Sequence, residues 1–417
     1  MTGTRVSTAA GGQALELSWV QPFGMVGLSI ANFIRRVLTL GIYDFWGRTE
    51  VRRRIWSGVR LDGEPLVYHG TGRELFVGFL IVFLLVLLPI MLSGLVVVAV
   101  FGASPGVTGL FQTVIFAVAS LLFGVGSYRA QRYRLSRTTW RGIRGSVAGN
   151  SWAYGWTYFW TLLLIPLTLG WIIPWRATAL QRRLTANMSF GDKPFVFQGH
   201  SLSLYGPFSV MWLGIPTILV LASVVIGASG LLPGPQALEA LGDGRDLAPD
   251  IRARAALLPF ILLVVGYVSY VLIGAWYQAR VFNHFARSTL FGAAHFEGRA
   301  TGLGLAFIGV TNMLILALGA VVATSLLSAI LVGVVYLLGP DQAQYARTLT
   351  AMAPVFVIIA ILSFGLLLPV TQARYSRYLV EHLRLVGPVD VDAIAQGAKQ
   401  EINRGEGLAQ AFDVDAF

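Results

Sequence analysis

LFVGFLIVFLLVLLPIMLSGLVVVAVFGA, residues 75–103, decides the fold class. It carries no charged side chain over more than the roughly 20 residues that a helix needs to cross a bilayer. Comparable runs follow at 108–127, 206–230, 255–277, 322–339 and 350–370. Pro89 and Pro216 fall inside such runs, where neighbouring helices satisfy the freed carbonyls. The six runs come in pairs, linked by SPG at 104–106, by 232–254 and by GPDQAQYART at 339–348, so three membrane hairpins are expected. Composition agrees: the 417 residues are 55% hydrophobic and 12% charged, with mean hydropathy +0.69. An ordinary soluble domain carries about a quarter charged residues, and this chain has too little polar surface to cover a soluble globule. The 47 glycines follow no three-residue period, which excludes collagen, and zero cysteines exclude disulfides, thiolate metal sites and a Cys nucleophile.

Three shorter apolar segments are ambiguous. Residues 23–46 hold Arg35 and Arg36 near the middle, 152–175 are aromatic-rich around Pro166, and 303–320 carry Asn312. Each spans the membrane, lies in its interface, or dips in and returns. Charge helps choose, because cytoplasmic loops collect Lys and Arg. The formal net charge is +11, and all basic residues except Lys193 and Lys399 are arginines. They cluster at 48–60, 129–144, 176–183, 280–299 and 374–384, whereas the loop 232–254 holds Glu239, Asp243, Asp246 and Asp250 against three arginines. Six spans put all five clusters in the cytoplasm, provided 23–46 and 152–175 do not cross. Interfacial or re-entrant helices are therefore expected there, with both termini cytoplasmic. Trp152, Trp156, Trp160, Trp171 and Trp175 suit the headgroup layer. The first twenty residues lack an apolar signal core, so no secretory signal is expected.

An internal repeat organises the chain. Residues 39–70 (TLGIYDFWGRTEVRRRIWSGVRLDGEPLVYHG) align without gaps to 168–199 (TLGWIIPWRATALQRRLTANMSFGDKPFVFQG) at an offset of 129. A weaker echo is SFGLLLPV at 363–370. The tracts LDGEPLVYHG, WRGIRGSVAG, FGDKPFVFQG and LFGAAHFEG read as short strands or turns. The expected division is an N-terminal cytoplasmic segment 1–22, repeat 1 at 23–149 with hairpin 75–127, and repeat 2 at 150–300 with hairpin 206–277. A degenerate repeat 3 follows at 301–385 with hairpin 322–370, then an acidic cytoplasmic tail at 386–417. The fold class expected is an all-α polytopic membrane protein of about six transmembrane helices, with two or three interfacial or re-entrant helices and strand-like cytoplasmic turns.

TLGIYDFW followed by RRR and LDGEPLVYHGTGRELFVGF, then RYRLSRTTWRGIRGS, TLGWIIPW and the tail GEGLAQAFDVDAF, resemble the YjgN-like bacterial inner-membrane proteins, a domain-of-unknown-function family. The resemblance covers nearly the whole chain. It implies a multi-pass protein of the bacterial cytoplasmic membrane and supplies no activity. The third copy departs from the family pattern, with Val370 where the other copies have tryptophan.

No catalytic constellation is visible. His69, His200, His284, His295 and His382 have no metal-ligand spacing, and neither a GxSxG, a phosphate loop nor a Ser-x-x-Lys occurs. No metal, no cofactor and no enzyme activity are expected. The candidate lipid- or anion-contacting residues are Arg35, Arg36, Trp46, Arg53, Arg54, Trp175, Arg182 and Arg183, with Asp44 as candidate partner of Arg35 and Arg36. Guanidinium forks fit phosphate oxygens, and indoles sit at glycerol depth; the same arginines also serve simply to set topology. No acid, Lys or Arg lies inside the six strong runs except at their ends, which argues against a proton- or ion-coupled transporter. A pI near 10.2 raises nucleic acid, but the basic residues flank apolar helices and form no separate domain, so anionic lipid is the expected partner. Non-catalytic handling of a lipid or a small amphipathic or anionic solute is the leading expectation. The alternative is a structural or assembly protein that binds a partner through its cytoplasmic basic face.

Overall fold

A computed structural model describes residues 15–102, 104–229, 249–338, 347–348, 351–352, 355 and 365–396. Its strands are β1 (Leu17–Trp19), β2 (Val59–Leu61), β3 (Glu64–Pro65), β4 (Val67–Tyr68), β5 (Thr138–Trp140), β6 (Ile143–Val147), β7 (Met188–Phe190), β8 (Lys193–Phe197), β9 (Thr289–Phe291), β10 (Ala294–Gly298) and β11 (Leu383–Val386). Each Gly-punctuated tract is a β-hairpin with a two-residue turn: Asp62-Gly63, Arg141-Gly142, Gly191-Asp192 and Gly292-Ala293. In the first two turns both residues have positive φ (52° and 77°, 49° and 78°), the type I′ geometry whose twist matches the strands it joins.

These short strands do not stand alone. β1, β2 and β3 make one sheet, and β4 to β11 make a second in which every neighbour in space is the neighbour in sequence, all antiparallel. β1 lies against β11. Side chains from both sheets converge on one apolar core: Leu15, Trp140, Phe291, Ala294, Val389 and Ile394 are buried, with Leu61, Phe190, Phe195 and Leu385 packed against them. The result is a β collar. Residues 388–396 run beneath it as a strap, held where Asp192 N–H donates to the Ala395 carbonyl (3.0 Å) and Ala395 N–H to the Asp192 carboxylate (3.1 Å).

Helices leave this collar and come back to it. From β1 the chain makes α1 (Met25–Leu38) and α2 (Asp44–Gly58) before β2; from β4 it makes α3 (Gly72–Phe101) and α4 (Pro105–Ser136) before β5. From β6 it makes α5 (Ser151–Leu167) and α6 (Ile173–Thr185) before β7; from β8 it makes α7 (Leu202–Ala228) and α8 (Pro249–Arg287) before β9. The last excursion leaves β10 through α9 (Gly302–Leu338) and returns by α10 (Leu368–Glu381) to β11. Among the described residues α3, α4, α7, α8 and α9 are long and apolar enough to cross a membrane. The expected sixth span, 350–370, lies largely outside the described residues.

Local chemistry explains the helix boundaries. Thr71 opens α3 by accepting from Glu74 N–H (3.3 Å), the T-x-x-E start signal written in TGRE. Ahead of Pro89, the π-helical turn Phe83–Leu87 absorbs the register lost where proline supplies no N–H. Two differences from the sequence reading stand out. The segments 303–320 and 322–339, read as separate, form one helix, so the helix that holds the 322–339 run begins at Gly302 and not at 322. Nothing near residue 321 breaks a helix; Gly319 alone weakens it by about 1 kcal/mol, and Leu367 packs 3.0 Å from where its Cβ would be. The all-α description also yields, because the strand-like turns are true strands paired with one another; the chain is mostly helical with a β collar.

α4 and α5 meet at glycine. A Cβ on Gly155 would sit 2.4 Å from Val125 Cγ2 and 2.9 Å from the Val125 backbone nitrogen, whereas one on Gly309 in α9 meets nothing within 4 Å. Gly309→Ala is therefore expected to stabilise by about 0.5–1 kcal/mol through helix propensity. Gly155→Ala is expected to destabilise by about 1–3 kcal/mol through forced separation of the two helices. Unfolding in detergent measures both, and a shift of the same sign for the two variants would refute this account of the crossing.

Candidate functional site at the helix tips

The two TLG copies fold identically. Leu40 and Gly41 have φ 50° and 93°, Leu169 and Gly170 have φ 50° and 83°. A leucine in the left-handed region is strained by about 1–2 kcal/mol, and the threonine before it offsets this. Thr39 Oγ1 donates to the Arg35 carbonyl (2.8 Å) and accepts from Tyr43 N–H (2.9 Å); Thr168 Oγ1 does the same with Leu164 (2.8 Å) and Ile172 (3.3 Å). One hydroxyl thus ends one helix and starts the next, making α1–α2 and α5–α6 tight helical hairpins. Their tips present exposed Leu38, Leu40, Ile42, Leu167, Leu169 and Trp171. α1 continues this surface with Val26, Ile30 and Ile34 at four-residue spacing, while Met25, Leu28, Ser29 and Asn32 face inward.

The sequence-derived candidates divide by position. Near the first tip, Arg35 Nη1 donates to Tyr43 Oη (2.7 Å) and lies 3.9 Å from Glu50; Arg36 lies 3.6 Å from Asp44, which also pairs with Arg48 at 3.1 Å. Charge there is internally matched. Both Arg35 and Arg36 end α1, where the helix dipole favours cations. The Trp46 ring packs tilted against Phe76 at 5.7 Å, and that of Trp175 against Trp160 at 5.5 Å. Arg54 Nη1 donates to the Phe23 carbonyl (2.7 Å), and Arg183 is exposed on α6.

Arg53 and Arg182 belong to a recurring clamp. Arg53 Nη2 donates to the Gly70 carbonyl (3.0 Å) and Arg182 Nη2 to that of Gly199 (2.7 Å), each seventeen residues on. Arg132 reaches Gly149 and Asn283 reaches Ala300 across the same seventeen residues. Every one of these donors sits on the helix before a β-hairpin, and every acceptor just precedes the next helix, so the side chain holds the hairpin shut. Sequence alignment at offset 129 matched Arg53 with Arg182 and Gly70 with Gly199; the other two clamps differ too much in surrounding sequence to be seen.

One residue was not singled out. Arg176, in the first turn of α6, lays its guanidinium 4.3 Å from the centre of the Tyr158 ring on α5. Its Nε and Nη2 are buried and have no hydrogen-bond partner among the described residues. Tyr154, one turn earlier on α5, and Tyr128 on α4 continue the same aromatic wall, with rings 5.1 Å apart. The signal was present in the sequence: Asp192 is the only acid between Glu74 and Glu239, a stretch that holds nine arginines.

Helices that leave and re-enter a basic β collar, with lipid-length apolar spans between, define a polytopic membrane protein. Residues 23–411 match the family described as "Bacterial protein of unknown function (DUF898)", and the chain belongs to that family. Over 58 residues it is 36% identical to "Inner membrane protein YjgN" of Salmonella typhimurium strain LT2, a stretch covering 14% of this chain and 15% of that relative. The chain thus aligns with well under two thirds of that relative's length. No solved structure matches. The expected resemblance holds, and the chain is a member of this bacterial family with five described helices long and apolar enough to cross a membrane.

Proposed function

We propose that the chain crosses the membrane six times in three hairpins, keeps both termini cytoplasmic, and dips α1–α2 and α5–α6 into the cytoplasmic leaflet. In this reading its basic, tryptophan-lined face handles an anionic lipid or small amphipathic anionic solute without catalysis. Strand pairing carries the reading. β4–β5, β6–β7, β8–β9 and β10–β11 are each adjacent antiparallel strands flanking one helical excursion, and β1–β2 flank another. Excursions that start and end at one collar favour an even number of crossings or none, which supports gathering the five basic clusters on one side. Exposed leucines at both tips support insertion into the interface. The shared turn and clamp geometry supports duplication, and membrane proteins built by duplication tend to place sites where copies meet.

Deleting the gene and profiling lipids and metabolites tests the function. A selective change in one anionic lipid or amphipathic anion, reversed by re-expression, is expected. An unaltered profile under growth conditions where the protein is made would overturn it.

A further inference from the structure

The three copies of the helical tip differ at one position in a way the fold does not require. Arg176 aligns with Gly47 at the offset of 129, and with Thr371 in the SFG copy. Gly47 packs on Asn32, so the first tip is built without any cation there, and Thr371 is buried at the matching place on α10. The turn itself therefore does not call for Arg176, whose packing partner is the Tyr158 ring.

It is also not explained by pairing. At the first tip Arg35, Arg36 and Arg48 have Glu50 and Asp44. Around Arg176 the elements α4, α5, α6 and α7 contain no Asp or Glu at all, and Asp192 is engaged at a collar turn with Lys193 (3.4 Å). Its place in the first turn of α6 adds to the excess, because a helix N-terminus is itself positive. The two buried, unpartnered donors are Nε and Nη2, adjacent on one edge of the guanidinium. That edge presents two parallel N–H groups, the geometry that receives two oxygens of a phosphate. The Tyr158 ring covers the face of the same group at 4.3 Å, and the edge with the two unpartnered donors is itself buried.

We propose that Arg176 binds a phosphate oxyanion, carried by an anionic lipid headgroup or as free phosphate, in the junction of α4, α5 and α6. The assignment deepens the anion-handling reading and rests on it. Full-length protein in phosphatidylcholine nanodiscs is titrated with inorganic phosphate at constant ionic strength, and in parallel compared with nanodiscs containing phosphatidylglycerol. Thermal shift is the readout.

A saturable stabilisation is expected in at least one arm. It weakens about ten- to hundredfold in Arg176→Thr, the loss expected for a charge-assisted bidentate contact, and persists in Arg183→Gln on the same helix. Response to phosphatidylglycerol alone supports a headgroup, and response to both arms supports the phosphate group itself. Without anion, Arg176→Thr is expected to melt no lower than wild type; a lower melting point together with an unchanged anion response assigns Arg176 to structure and overturns the proposal. If that variant fails to fold, Arg176→Lys decides, because it keeps the charge and loses the fork: wild-type affinity in it overturns the proposal, and clear weakening supports it. An equal response in wild type and Arg176→Thr overturns the Arg176 site while leaving the anion-handling reading intact. No response of wild type in either arm overturns the site too, and the deletion profile then judges the broader reading separately.

Discussion

Single cysteines at Arg144, Gln198, His295 and Arg384 are expected to react with an impermeant maleimide from the cytoplasmic side only, and a cysteine at Ser104 from the opposite side only. The chain has no native cysteine, so each reading is clean. All five positions are exposed. The first four lie on the collar or just beyond one of its strands, separated in sequence by 54, 97 and 89 residues (198 − 144, 295 − 198, 384 − 295), yet successive pairing places them on one structure. Ser104 joins α3 to α4, two helices each long enough to cross: 30 residues of α3 rise about 45 Å against a hydrocarbon layer of about 30 Å. A cysteine at Leu167, exposed at the tip of α5, is expected to resist the reagent from both sides. Reaction of Leu167→Cys from the Ser104 side would make α5 a full span and split the basic clusters between the two faces. The effect is all-or-none, because a permeability barrier separates the outcomes.

Trp140→Ala is expected to destabilise the protein by about 3–5 kcal/mol, the range for removing a buried aromatic side chain. Trp140 is 2% exposed in the collar core, its Nε1–H donates to the Leu61 carbonyl (3.2 Å), and its ring lies 6.0 Å from Phe190. It joins the two sheets, since Leu61 belongs to the small one and Trp140 and Phe190 to the large one. Arg141, 4.7 Å from the centre of that ring, strengthens the same seam through Asp62 (3.3 Å) and Glu64 (3.2 Å) in the first hairpin. Trp156→Ala on α5, 58% exposed, is expected to change stability by no more than about 0.5 kcal/mol. Unfolding in mixed micelles compares the two. Similar losses for both tryptophans would mean that the collar is not an independent core.

How much of this was legible depended on how local the governing interactions are. The spans were legible because crossing a bilayer sets a length and forbids charge within one stretch of chain. The hairpin turns were legible because Asp-Gly and Gly-Asp supply positive φ on the spot. The TLG turn showed itself as a repeat, although only the structure reveals that Thr39 and Thr168 bridge two helices with one hydroxyl. Asp44 is the acid the sequence offers to Arg35 and Arg36, and the structure sets it 3.6 Å from Arg36 while Arg35 lies beside Glu50. Arg53 and Arg182 were picked from their charge, and it took the folded chain to show one donor of each spent on a carbonyl seventeen residues away.

The sequence by itself determined that this is a membrane protein, where four of its five described membrane-length helices lie, and which short tracts turn back on themselves. Strands of two to five residues carry too few side chains to specify a partner, and each of the pairs β4–β5, β6–β7, β8–β9 and β10–β11 closes only after a helical excursion has left and returned. Tertiary structure alone therefore decided that the hairpins join into one collar, that 302–338 is a single helix, and that Arg176 faces tyrosine with no acid to meet it. The physical reason is the same in each case. A charge, a strand edge or a helix end is satisfied by whatever the fold brings near, and in this chain the nearest groups in space are seldom the nearest in sequence.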